Sequence, residues 1–197
     1  MARAGLTAER LTRAAAELAD DVGFEQVTVS AVARLFDVKG ASIYSHLKSS
    51  QDLKTRIALL ALDEMADRAA EAVAGRAGRG ALVAFGDAYR DYARAHPGRY
   101  EAARMPLDAD TAASSAGPRH AQMMQAILRG YRIAEAEQVH AIRLMGSVFH
   151  GYASLESSGA FSHSSPDSQE SWIRTLDALD TLLANWPTEN PARVPHG

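Results

Sequence analysis

The stretch from Thr28 to Leu47 constrains the fold more than any other part of the chain, because it reads as two short helices joined by a turn of two residues. Thr28 can cap the first helix by accepting from a free N–H of its first turn. Val29, Val32, Ala33 and Phe36 follow at helical spacing and predict a buried face, with Ala33 small where the two helices must approach. Asp37 and Val38 make the turn, and Asp tolerates a left-handed backbone better than most residues. The second helix is expected over about 39–44, with Ile43 and Leu47 pointing inward. Lys39, Gly40, Ala41, Ser42, Tyr44 and His46 are then left outward.

A short helix with a small, polar outer face is the shape that enters a DNA major groove. Lys39 can reach a phosphate or a guanine edge, Ala41 can touch a thymine methyl, and Ser42 can bond to bases of either kind. Tyr44, His46 and Lys48 supply donors beyond the helix for phosphate oxygens. Thr28 and Ser30 open the preceding helix, where free N–H groups and the dipole attract phosphate. The same spacing also fits an ordinary helical hairpin whose Tyr44 and His46 simply pack.

Residues 7–22 predict a helix that completes a three-helix head. Thr7 caps it, Leu6 and Leu11 form a hydrophobic staple, and Leu11, Ala14, Ala15, Leu18 and Val22 make its stripe. Gly23 is expected in the left-handed position after its last turn, with Phe24 folding back. Arg3, Arg10 and Arg13 either touch the DNA backbone or form a solvated face.

After residue 50 the chain is Ala-rich without strand-like alternation, which predicts helix throughout. Helices are expected at about 51–74, 80–95, 98–105, 119–131, 135–157 and 167–185. Gly75, Gly78 and Gly80 break the first, and His96-Pro97-Gly98 ends the second. Residues 108–118 read as a loop, and 186–197, with three prolines, as a loose tail. Trp172, Leu176, Leu179 and Leu183 repeat at spacings of four and three, the pattern of a packing seam. Val139, Ile142, Met145 and Gly146 lie on the preceding long helix, where Gly146 allows close approach. Both helices carry more than one apolar face, so these residues are candidates for a partner interface, and a wholly internal helix pair is the alternative.

The charge distribution is informative where the total of −3 is not. Residues 1–56 hold eight Lys and Arg against seven Asp and Glu, while the remainder holds thirteen against seventeen, so any DNA-binding face is local. No run of 18 apolar residues and no signal-peptide pattern occurs, and the chain has no cysteine; a cytoplasmic protein without a membrane span is expected. The seven histidines, His46, His96, His120, His140, His150, His163 and His196, form no metal-ligand spacing. No Gly-rich phosphate loop or nucleophile elbow is present, so neither an enzyme nor a metal or cofactor is expected.

Over residues 6–62 the chain resembles the TetR family of transcription regulators. The resemblance rests on the helix ending Gly23-Phe24, on Thr28-Val29-Ser30-Ala31-Val32-Ala33, on Ser42-Ile43-Tyr44-Ser45-His46-Leu47 and on Asp52-Leu53. His96-Pro97-Gly98 and the stretches Arg143–Tyr152, with its His150-Gly151 pair, and Leu155–Phe161 are similar to one subgroup of the family's C-terminal domains. Asp37 and Lys39-Gly40 depart from the family's usual Gly and Ser or Thr.

The resemblance implies an all-α homodimer, with a DNA-binding head at 1–50 and a ligand-binding and dimerisation body at 51–197. It implies a palindromic operator, release by a small molecule, and a four-helix interface made by the last two long helices. It places phosphate contact on Tyr44, His46 and Lys48 and base reading on Lys39, Ala41 and Ser42. Tyr89, Tyr92, Met105, Met123, Ile127, Phe149, His150 and Tyr152 are the candidate ligand wall, since Met and aromatic residues give an adaptable apolar lining. The alternative is a helical ligand-binding or interaction protein that has lost its affinity for DNA.

Overall fold

Thr7 starts the first helix as its sequence requires: its hydroxyl accepts from the Arg10 N–H at 3.2 Å. The computed structural model describes residues 5–187, and among these it contains ten α-helices and no strand. They are α1 (Ala8–Val22), α2 (Val29–Leu35), α3 (Gly40–Ile43), α4 (Ser50–Val73), α5 (Gly78–Ala95), α6 (Pro97–Ala103), α7 (Ala109–Ser114), α8 (Gly117–Leu128), α9 (Glu135–Ser157) and α10 (Ser168–Ala184). A 3₁₀ turn at Phe24–Gln26 follows α1. None of the described helices is long and apolar enough to cross a membrane. Arg3, His196 and all but the first two residues of the expected tail lie outside the described residues.

The chain forms two compact units, each discontinuous in sequence. The first takes residues up to Arg68 and Asp91–Arg119, and the second takes Ala69–Arg90 and residues from His120 onward.

In the first unit the core gathers Leu11, Ala15, Ala16, Ala19, Phe24, Val27, Val32, Ile43, Leu47, Leu53 and Ile57, all nearly inaccessible. The buried face of α1 is rotated from the expected stripe. Leu11, Thr12, Ala15, Ala16 and Ala19 are buried, Leu18 is only half-buried and Val22 is exposed. The reason is steric: the small alanines let α6 come against α1 at Gly98. A Cβ added at Gly98 would lie 1.9 Å from the Ala19 carbonyl oxygen. Gly23 has a positive φ of 91°, as expected, but its ψ of 144° is extended rather than left-handed helical.

An ionic network surrounds that contact. The Asp20 carboxylate accepts from the Arg99 backbone N–H at 2.9 Å and faces His96 Nδ1 at 3.0 Å and Arg99 Nε at 3.1 Å. Arg99 reaches Glu64, which also accepts from the Tyr92 hydroxyl at 2.8 Å. Burial, and then the bond to Glu64, raise the Tyr92 hydroxyl far above the usual phenol range, so it stays protonated. Pro97 opens α6, where a missing N–H costs nothing.

In the second unit Phe85, Phe149 and Trp172 form the aromatic centre, with ring centroids 5.9 and 6.2 Å apart in sequence. The α5 backbone passes close at Gly86, whose Cβ would lie 3.0–3.2 Å from Phe149, Leu176 and Trp172. Three details differ from expectation. Gly80 lies inside α5 instead of breaking a helix. Residues 109–114 form α7, capped by Asp108, where a loop was expected. The helix expected at 119–131 is α8, which begins two residues earlier and ends three sooner.

Candidate nucleic-acid interface

The expected reading head is built by three local devices. Thr28 caps α2 by accepting from the Ala31 N–H at 3.1 Å. At the other end the Val38 N–H bonds to the Ala33 carbonyl at 3.1 Å and the Asp37 N–H to Arg34 at 3.2 Å, a Schellman closure. Asp37 carries it at a φ of 52°, the one positive φ outside glycine among the described residues. This reversal delivers Lys39 as the cap of α3, and Ile43 and Leu47 anchor the stretch in the core at 0% and 2% exposure.

Helix α3 is shorter than its sequence predicts, four residues in place of about six. Lys39 has no side-chain hydrogen bond to give the helix start, and Gly40 adds no side chain to pack. Beyond it the chain turns back through bonds from the His46 and Leu47 N–H groups to the Ile43 carbonyl. Thr28, Ser30, Lys39, Ala41, Ser42, Tyr44, His46 and Lys48 are all exposed and Gly40 is half-buried. Tyr44 is 54% exposed, among the more exposed large hydrophobic side chains of the described residues.

The eight residues of the candidate ligand wall divide between the units. Tyr92 and Met105 belong to the first, where Tyr92 is wholly buried in the ionic network and Met105 packs against the head core. Both are therefore committed to structure. In the second unit Tyr89 is central: its ring stacks on Phe85 at 4.7 Å and meets His150 at 5.6 Å and Phe149 at 6.4 Å. Its hydroxyl is hydrogen-bonded to His120 Nδ1, a residue the sequence did not single out. Met123 and Ile127 follow His120 along one face of α8. Tyr152 stands apart, its ring tilted at 55° against Trp172 at 4.9 Å and its hydroxyl donating to the Ser168 carbonyl.

The candidate interface residues also separate. Met145, Trp172, Leu176, Leu179 and Leu183 are at most 4% exposed within the single chain, so they offer a partner no surface. This corrects their assignment to a partner face: the seam is internal. Val139 is half-exposed, and Ile142 and Gly146 are partly so. Sequence periodicity also missed Arg90, which is 3% exposed. It holds Glu156 through two bonds of 2.8 and 2.6 Å and Gln169 at 2.6 Å, and it lies over the Trp172 ring at 5.4 Å. A lone Arg in an apolar stripe was the only available signal.

Residues 11–55 match the model of the bacterial regulatory proteins of the tetR family, and residues 82–179 match that of the tetracyclin repressor-like C-terminal domain. The HTH-type transcriptional regulator Rv0681 of Mycobacterium tuberculosis is 33% identical over 79% of this chain and 72% of its own. The HTH-type transcriptional regulator YobS of Bacillus subtilis is 29% identical over 93% and 96%. Among solved structures, ActR of Streptomyces coelicolor, a TetR family protein in complex with (S)-DNPA, superposes with a TM-score of 0.66 at 17% identity, over 92% of this chain and 98% of that one.

Proposed function

For a chain that belongs to the tetR family of bacterial regulatory proteins, and is thus a DNA-binding transcriptional regulator, we propose a repressor that binds a palindromic operator as a homodimer and leaves it when a small molecule binds. The observation that carries the DNA part is the exposed side chains between Lys39 and Lys48, standing on a core-anchored turn and left open to solvent by the described residues. Residues 1–50 are the DNA-binding segment and 51–197 the ligand-binding and dimerisation segment. Lys39, Ala41 and Ser42 read bases, and Thr28, Ser30, Tyr44, His46 and Lys48 hold phosphates. The test is salt dependence: Lys48→Ala should weaken binding to every duplex alike and flatten the slope of log K against log salt by about one unit. An unchanged slope removes Lys48 from the phosphate set.

The effector is assigned to the second unit, around Tyr89, His120 and His150, with Phe85, Phe149, Met123 and Ile127 as apolar wall. What supports this is the mix of stacked rings and hydrogen-bonding tips, which suits an aromatic ligand with a polar substituent. The ligand held by ActR is a precedent for the fold only.

The pairing face is assigned to a strip that periodicity did not single out. Leu144, Val148, Gly151 and Leu155 recur on α9 at spacings of four, three and four. Leu155 is 50% exposed, and Leu182 on α10 is 43% exposed. Glu137 and Tyr152, which bond to Trp186 and to the Ser168 carbonyl, lie on the same side of α9 as this strip, so Ala178 and Leu182 continue it. A Cβ at Gly151 would meet nothing within 4 Å, which leaves room for a second backbone. Leu155→Glu combined with Leu182→Glu should give a monomer by sedimentation and weaken operator binding by about 100-fold or more, as the two heads lose their linkage. A dimer that persists places the interface elsewhere.

A further inference from the structure

The segment carrying Tyr44, His46 and Lys48 is fixed at one end by Ile43 and Leu47 in the core. Its other end is fixed by a residue of the wrong charge for DNA. Asp52, in the first turn of α4, accepts from the Lys48 backbone N–H through Oδ2 at 2.9 Å. Its own N–H bonds to the Ser49 hydroxyl at 3.0 Å, and Leu53 N–H bonds to the Ser49 carbonyl at 3.2 Å. Ser49 and Asp52 therefore form a reciprocal cap, displaced so that the carboxylate clasps the residue before the helix. The other carboxylate oxygen faces Arg56 Nε at 3.1 Å. Arg56 offsets the negative charge at the point where phosphates are expected to approach.

We propose that Asp52 is a positioning residue for DNA binding: it holds the backbone at Lys48 and so aims the Tyr44–Lys48 segment at the phosphates, without touching DNA. This rests on the reading of that segment as a phosphate contact. Charge and positioning predict opposite signs. If Asp52 acts only as a charge near DNA, then removing it tightens binding. If it positions the segment, then losing its acceptor loosens the strap, and affinity falls even though a repulsive charge has gone.

The experiment compares the full-length protein with its Asp52→Ala and Asp52→Asn variants, using two duplexes of equal length. One carries the sequence immediately upstream of its own coding region, and the other is of random sequence. Asp52→Ala should bind both about tenfold more weakly, with a salt slope flattened by about one unit, as Lys48→Ala does. Asp52→Asn keeps an oxygen acceptor for the Lys48 N–H and should restore binding to within about twofold of wild type. Faster amide exchange at Lys48 in Asp52→Ala, but not in Asp52→Asn, should accompany this. Tighter or unchanged binding by Asp52→Ala overturns the positioning role, as does equal binding by the two variants. If Asp52→Ala does not fold, Asp52→Asn alone decides: binding tightened by more than about twofold makes Asp52 a charge, and binding held with Lys48 still protected makes it a clasp. A wild-type protein that binds neither duplex at low salt overturns the DNA assignment itself, whatever Asp52 does.

Discussion

Gly98→Ala is expected to destabilise the first unit by about 3 kcal/mol or more, because there is no room for the added carbon. It would sit 1.9 Å from the oxygen and 2.1 Å from the carbon of the Ala19 carbonyl, both backbone atoms of a helix that cannot bend away. Relief requires α6 to retreat, which breaks the bonds of Asp20 to the Arg99 N–H and to His96. At about 2–4 °C per kcal/mol for a chain of this size, the melting midpoint should fall by about 6–12 °C. Gly40→Ala is the control, since a Cβ there meets nothing within 4 Å and φ is not positive. Circular dichroism melts of the two variants decide it; equal midpoints would mean that α6 does not lie against α1 as described.

Glu156→Ala should cost about 3–5 kcal/mol, for a different reason. The Arg90 side chain is 4% exposed and Glu156 14%, so deleting the carboxylate strips two short charge-assisted bonds from a buried guanidinium. Gln169 and the Trp172 ring stay in place, but neither carries a negative charge to offset it. Replacing both members, Arg90→Met with Glu156→Leu, should cost clearly less than Glu156→Ala alone, because no buried charge remains. Urea unfolding of the single and double variants is the measurement. If the double variant is the less stable, Arg90 contributes through packing on Trp172 and not through its charge.

Much of the fold was legible because its signals are local. Thr7 and Thr28 cap helices within three residues of their partners, and α9 occupies the residues its periodicity marks. The turn between α2 and α3 was legible because Asp37 is one of the few side chains that accept a left-handed backbone. Helix α7 was not, since none of its residues is buried and it depends on Asp108, which bonds the Thr111 N–H and hydroxyl at 2.9 and 2.7 Å. Hydrophobicity alone favours Leu18 and Val22 for the buried face of α1, whereas packing selects alanines small enough for Gly98. The networks were out of reach for another reason. Asp20 and His96 are 76 residues apart, Arg90 and Glu156 are 66 apart, and no periodicity links residues that only the folded chain brings together. The internal seam on α10 was visible as a seam, but spacing alone cannot say whether its partner is the same chain or another.

Between Lys39 and Lys48 only Ile43 and Leu47 are fully buried, and Lys39, Ala41, Ser42, Tyr44, His46 and Lys48 lie at the surface. On the proposed assignment, a duplicated copy of this regulator can exchange residues 39, 41 and 42 one at a time, acquiring a new target without passing through an unfolded ancestor. On that assignment stability is stored in one set of positions and choice of sequence in another, so natural selection can edit the second while leaving the first intact.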